Sequence, residues 1–130
     1  MLTNELYIFK KGGDELITSH LSQDEVDCNC SHNMCKRTFI SIRSIESFEQ
    51  TRTACGNRPL YMTNWFRCDL HNIEEGGSPD SKHKYGFAVD LIPPRGMELT
   101  ELEFRAKPYW DYVQIYPKKN IVHCHNEPKS

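Results

Sequence analysis

Apolar residues recur along this chain in two rhythms. Between residues 36 and 54, Phe39, Ile42, Ile45 and Phe48 return about every third position, the spacing that lines one face of an amphipathic helix. Gly56, just beyond, suits a helix C-terminal cap, and residues 98–106 read as a second, shorter helix. Strand-like runs are more numerous. They fall at residues 6–9, 59–63, 87–92, 112–116 and 121–125, and Pro117 and Asn120 in the last connection predict that the final two form an antiparallel pair. Residues 10–32 are polar and turn-rich and predict irregular structure. Residues 69–82, with Gly76-Gly77-Ser78-Pro79, predict a polar loop.

Strands outnumber helices and the connections are short. This predicts an α+β fold, a small central antiparallel sheet with helices on one face. At 130 residues the chain is expected to form a single domain, 1–130, around one core. Apolar residues make up 38% and charged residues 26%, a balance that argues against disorder and against a membrane protein. With a net charge of -2 and scattered basic residues, no nucleic-acid partner is expected. The first residues lack a basic start followed by a long apolar run. No export signal and no membrane insertion are therefore expected. Synthesis is expected in the cytoplasm, with any substrate beyond the membrane reached through lysis, a pore or a virus particle.

Six cysteines are present. Cys28, Cys30 and Cys35 cluster as C-x-C-x4-C, while Cys55, Cys68 and Cys124 stand alone. Reduced, mostly buried thiols are the expectation. The sharper alternative is a second, structural zinc held by Cys28, Cys30, Cys35 and His32. A redox protein is disfavoured because no C-x-x-C occurs.

The chemistry concentrates in Ser81-Lys82-His83-Lys84-Tyr85-Gly86-Phe87-Ala88-Val89-Asp90. On a strand, Ala88 and Asp90 share one face, and Phe87, Val89 and Leu91 share the other. Asp90 is then a carboxylate on an otherwise apolar strand. Gly86 permits a tight bend that folds His83 back over that face, with small Ala88 leaving room. Nitrogen and carboxylate donors converging in this way suit zinc. Val122-His123-Cys124-His125 places two histidines on one face of a late strand. If that strand lies beside residues 87–92, His123 or His125 completes a three-donor set with an open fourth position, as a catalytic zinc requires.

The pattern S-x-H-x-x-G-x-A-x-D resembles the first zinc motif of the D-Ala-D-Ala carboxypeptidase-like (M15) metallopeptidases and of the related hedgehog signalling domains. Cys28-Asn29-Cys30, Arg52, Leu60-Tyr61-Met62-Thr63, Arg67-Cys68, His71-Asn72, Asp111-Tyr112-Val113 and His123-Cys124 follow the same order as in phage and bacterial M15 domains. The resemblance covers about residues 26–125. It implies a hedgehog/DD-peptidase-like fold and a Zn2+ cofactor held by His83, Asp90 and His123. It also implies that Arg67 steadies the scissile carbonyl. Many relatives carry a general-base carboxylate three residues before the last ligand, where this chain has Asn120. Other relatives place a polar partner two residues from that ligand, which here would be apolar Ile121 before it or His125 after it, so the resemblance implies His125 as the candidate base, or His125 as the ligand with His123 catalytic.

Two functions follow as expectations. The first is a zinc peptidase cutting peptidoglycan stem peptides, as a D,D-carboxypeptidase or endopeptidase of phage type. The second is a catalytically weak or inactive zinc-stabilised module, for instance a virion component bound to other virion proteins. Trp65, Tyr85, Tyr109 and Trp110 are candidates for a substrate groove, although core packing is the commoner fate of such residues.

Overall fold

The computed structural model describes residues 6–30 and 35–127. Its centre is a four-stranded sheet in the order β5-β6-β8-β7, antiparallel throughout. These strands are β5 (Tyr61–Asn64), β6 (Ala88–Ile92), β7 (Tyr112–Tyr116) and β8 (Ile121–His125). The inward-facing residues Val89, Leu91, Val122 and Cys124 are fully buried. They share one cluster with Ile45 and Phe48 of helix α2 (Ile42–Ala54) and with Leu102 and Ala106 of α4 (Leu99–Ala106). The expected α+β arrangement, with the helices against one sheet face, is therefore present. Burying a side chain such as Phe48 contributes about 1.5–3 kcal/mol.

A second, two-stranded sheet joins β1 (Leu6–Lys10) to β4 (Arg37–Ser41), with Tyr7 opposite Ile40 and Phe9 opposite Thr38. The helix expected over 36–54 is thus shorter at its start. Thr38 and Ile40 are buried on one side of β4 while Phe39 faces the other, so this stretch follows the strand period of two. Phe39 happened to extend the every-third spacing backward. Ser41 marks the switch, since its hydroxyl accepts the Ser44 N–H at 3.2 Å and caps α2. The serines on the inner face of α2 are also satisfied. Ser44 Oγ donates to the Phe87 carbonyl at 2.9 Å, and Asn126 Nδ2 donates to Ser44 at 3.1 Å and Ser47 at 3.0 Å. Gly56 lies just past the α2 cap, with φ +88.

Two regions read as irregular contain short elements. Within 10–32 lie β2 (Leu16–Thr18), β3 (Leu21–Ser22) and α1 (Gln23–Val26); they are too short to show a period. Ser22 and Glu25 form a capping box at α1, which is a legible signal. The 69–82 segment holds α3 (Asp69–Glu74), and a 3-10 helix spans Lys82–Tyr85. His32 lies outside the described residues.

Gly86 joins that 3-10 helix to β6 with φ +75. A Cβ here would overlap the Phe39 carbonyl and lie 2.5 Å from the Ile40 Cα. The same carbonyl of Gly86 accepts the Trp65 indole N–H at 2.8 Å and the Ser41 N–H at 3.1 Å. Gly86 is therefore the point where the site loop seats directly on the β4 backbone.

Candidate metal centre

Antiparallel pairing sets Asp90 opposite His123, and Ala88 opposite His125. All four sit on the sheet face turned away from α2 and α4, because their neighbours Val89 and Cys124 point into the core. The 3-10 helix after Ser81 then brings His83 over the same face. Ser81 Oγ accepts the His83 N–H at 3.2 Å and starts that turn.

Donor atoms of three side chains meet at one carboxylate oxygen. Asp90 Oδ1 lies 3.2 Å from His83 Nε2 and 2.9 Å from His123 Nδ1. His83 Nδ1 stands 2.7 Å from the Trp65 carbonyl. A carbonyl can only accept, so Nδ1 carries a proton and Nε2 is the ring nitrogen turned to the Asp90 carboxylate, where its lone pair can bind an ion. Two acceptors at that separation repel unless a cation or proton lies between them. The His83, Asp90 and His123 donors, all within 4.8 Å of one another, suit a borderline divalent ion such as zinc. The residues present therefore fit the ion that the sequence led one to expect.

Asp90 is only 3% exposed. Burial alone would raise its pKa, but in the absence of an ion a proton shared with His123 or His83 outweighs it and holds the carboxyl well below the usual range. Arg67 follows β5 and is also buried. Its guanidinium lies 3.7 Å from Asp90 Oδ2 and donates to Asn72 Oδ1 at 3.2 Å. Arg67 Nε has no partner among the described residues. The family pattern includes Asn72 beside His71 without giving it a role. In the structure its Nδ2 also donates to the Ser78 carbonyl at 2.8 Å, tying the arginine to the glycine-rich loop.

His125 Nδ1 lies 2.9 Å from His123 Nε2, and its Nε2 lies 3.2 Å from Glu127 Oε1. Its ring stacks on Tyr112 at 4.8 Å. Burial, reinforced by His123, pushes the His125 pKa down, which favours the neutral ring. A cleft of about 840 Å³ opens over the centre and is lined by Arg67, His83, Asp90, His123 and His125 together with Tyr116 and Glu127. Arg67, His83, Asp90, His123 and His125 thus lie at one cleft.

Asn120 takes no part in that cleft. It occupies the left-handed region at φ 54 in the β7–β8 turn, a conformation asparagine tolerates well, and lines a separate depression with Gly96 and Ile115. Of the carboxylates that line the cleft, Glu127 is the one beside His125. Its signal was available, since 123, 125 and 127 continue one alternation. The groove aromatics are distributed otherwise. Trp65 and Trp110 are core residues, Tyr85 is exposed, Tyr109 packs against the core, and Tyr116 is the aromatic residue at the cleft.

A three-donor set at the floor of an open cleft, beside a buried arginine and His125, is a group of side chains that could hold a divalent ion. A family model described as Peptidase M15 matches residues 19–125, and the chain belongs to the peptidase M15 family, whose members are hydrolases and generally depend on zinc. No curated protein matches the chain.

Proposed function

We propose that this chain is a zinc peptidase acting on the stem peptides of bacterial peptidoglycan, with His83, Asp90 and His123 as zinc ligands. The observation carrying this reading is the convergence of His83 Nε2 and His123 Nδ1 on one buried oxygen of Asp90. Zinc, when bound, supplies Lewis-acid activation of water and of the scissile carbonyl. Arg67 places a desolvated positive charge in the same cleft, where it stabilises negative charge developing on the carbonyl oxygen. His125 takes and returns the proton, with Glu127 orienting its ring through Nε2. Lys118 and Lys119 on the cleft wall complement the carboxylates of an acidic stem peptide. The chain acts as one domain, delivered by lysis or in a virus particle.

The test is incubation of purified protein with muropeptides, with and without a chelator. Released D-alanine identifies a carboxypeptidase, and a new amine at a cross-link identifies an endopeptidase. His125→Ala is expected to keep its zinc and lose about 10²–10⁴-fold in turnover, whereas His123→Ala loses the metal. If His125→Ala loses the metal and His123→Ala keeps it, the two roles are exchanged. Asn120 favours a second reading, a zinc-stabilised module that binds without cutting, since the position that carries an acid in many relatives is here a turn residue. Zinc-loaded protein that retains muropeptides without hydrolysing them would establish that reading instead.

A further inference from the structure

The geometry points to a second metal site, a closed zinc centre formed by the thiolates of Cys28, Cys30, Cys35 and Cys68. Their four Sγ atoms lie within 4.8 Å of one another. Cys28 and Cys68 are 3.6 Å apart, and Cys30 and Cys35 are 3.3 Å apart. These separations are far beyond the ~2.05 Å of a disulfide. They approach the ~3.8 Å edge of a tetrahedron with zinc–sulfur bonds of ~2.3 Å. Cysteine from three separate stretches meets here: Cys28 and Cys30 follow α1, Cys35 precedes β4, and Cys68 caps α3. The sequence grouped the first three but gave no reason to add Cys68, 40 positions from Cys28.

Hydrogen-bond donors are directed at the sulfurs. The Lys11 ammonium lies 3.3 Å from Cys30 Sγ and 3.1 Å from Cys35 Sγ. The backbone N–H of Cys68 donates to Cys28 Sγ, and that of His71 to Cys68 Sγ, each at 3.4 Å. Four thiolates around one divalent ion carry a net charge of about -2, which Lys11 partly offsets. With four protein donors and no open position, such a centre is structural. It clamps the segment after α1 to the chain just beyond Arg67. The neighbouring bond from Phe66 N to the Val26 carbonyl, 3.1 Å, runs across the same junction.

The experiment is metal analysis with zinc-edge X-ray absorption on the whole chain, purified without chelator. Wild type is expected to carry two zinc equivalents, with sulfur scatterers at ~2.3 Å alongside nitrogen and oxygen ligands. Cys68→Ser and the Cys30→Ser/Cys35→Ser double variant should each lose one equivalent, lose the sulfur signal and melt on the order of 10 °C lower. Cys55→Ala, outside the cluster, should keep both. Should the cluster variants fail to fold, the sulfur signal of wild type still decides. One equivalent with only nitrogen and oxygen ligands, iron in place of zinc, or a disulfide within the four cysteines would overturn the site. Failure of the His83, Asp90 and His123 assignment would instead remove the nitrogen and oxygen signal and leave the sulfur.

Discussion

Asp90→Ala protein is expected to hold no metal at the His83 and His123 centre, to show no peptidase activity, and to melt roughly 10 °C or more below wild type. The metal loss follows from removing the one atom on which both histidines converge. The stability loss has a second source that does not need the ion. Arg67 is 6% exposed, Asp90 is the carboxylate facing its guanidinium, and Nε already has no partner. Breaking a buried ion pair from one side costs about 3–5 kcal/mol, because the remaining charge stays desolvated. Asp90→Asn separates the two effects. It keeps the shape and an oxygen for hydrogen bonding but not the charge, so metal affinity should fall with less loss of melting temperature. Calorimetry of both variants, each with and without chelator, checks this. A melting temperature for Asp90→Ala equal to that of chelated wild type would show that the carboxylate contributes through the metal alone.

Gly86→Ala is expected to leave little folded protein at room temperature. The left-handed backbone costs about 1–2 kcal/mol for any residue with a Cβ, and the new atom would meet Phe39 and Ile40 backbone rather than a movable side chain. Overpacking adds about 1–3 kcal/mol and more where nothing yields. The sum, about 2–5 kcal/mol before any excess from the unyielding backbone, reaches the low end of a domain's whole stability of about 5–15 kcal/mol. Gly56→Ala is the control. Its φ is +88 but its Cβ would meet nothing within 4 Å, so only the backbone cost of about 1 kcal/mol should appear. Urea denaturation of the two variants tests the contrast. Equal midpoints would mean that the β4 backbone can move away from Gly86.

Much of the centre was legible because it sits on regular elements. Alternation along 87–92 and 121–125 assigned faces correctly, and the pairing of Asp90 with His123 followed once those strands became neighbours. Periodicity failed where an element was shorter than its own repeat, as in β2, β3 and α1. At Phe39 a strand and a helix met in phase, and apolar spacing alone could not separate them. Arg67, Asn72 and Cys68 come from a connecting segment, where only tertiary contact reveals a role. Glu127 lies beyond the positions the family pattern points to, three before or two either side of His123, and follows only from the alternation of 123, 125 and 127 past the end of β8.

The pairing of β6 with β8 also bears on when the donor set is completed. Asp90 and His123 are 33 positions apart, and β8 is the last of the described strands to be made. At a synthesis rate of about 5–20 residues per second, domains assemble from the N-terminal side. A growing chain therefore exposes His83 and Asp90 for seconds without a complete donor set. The His83, Asp90 and His123 set closes only after β8 leaves the ribosome and inserts between β6 and β7, so the product of an interrupted translation event carries the motif but not the centre.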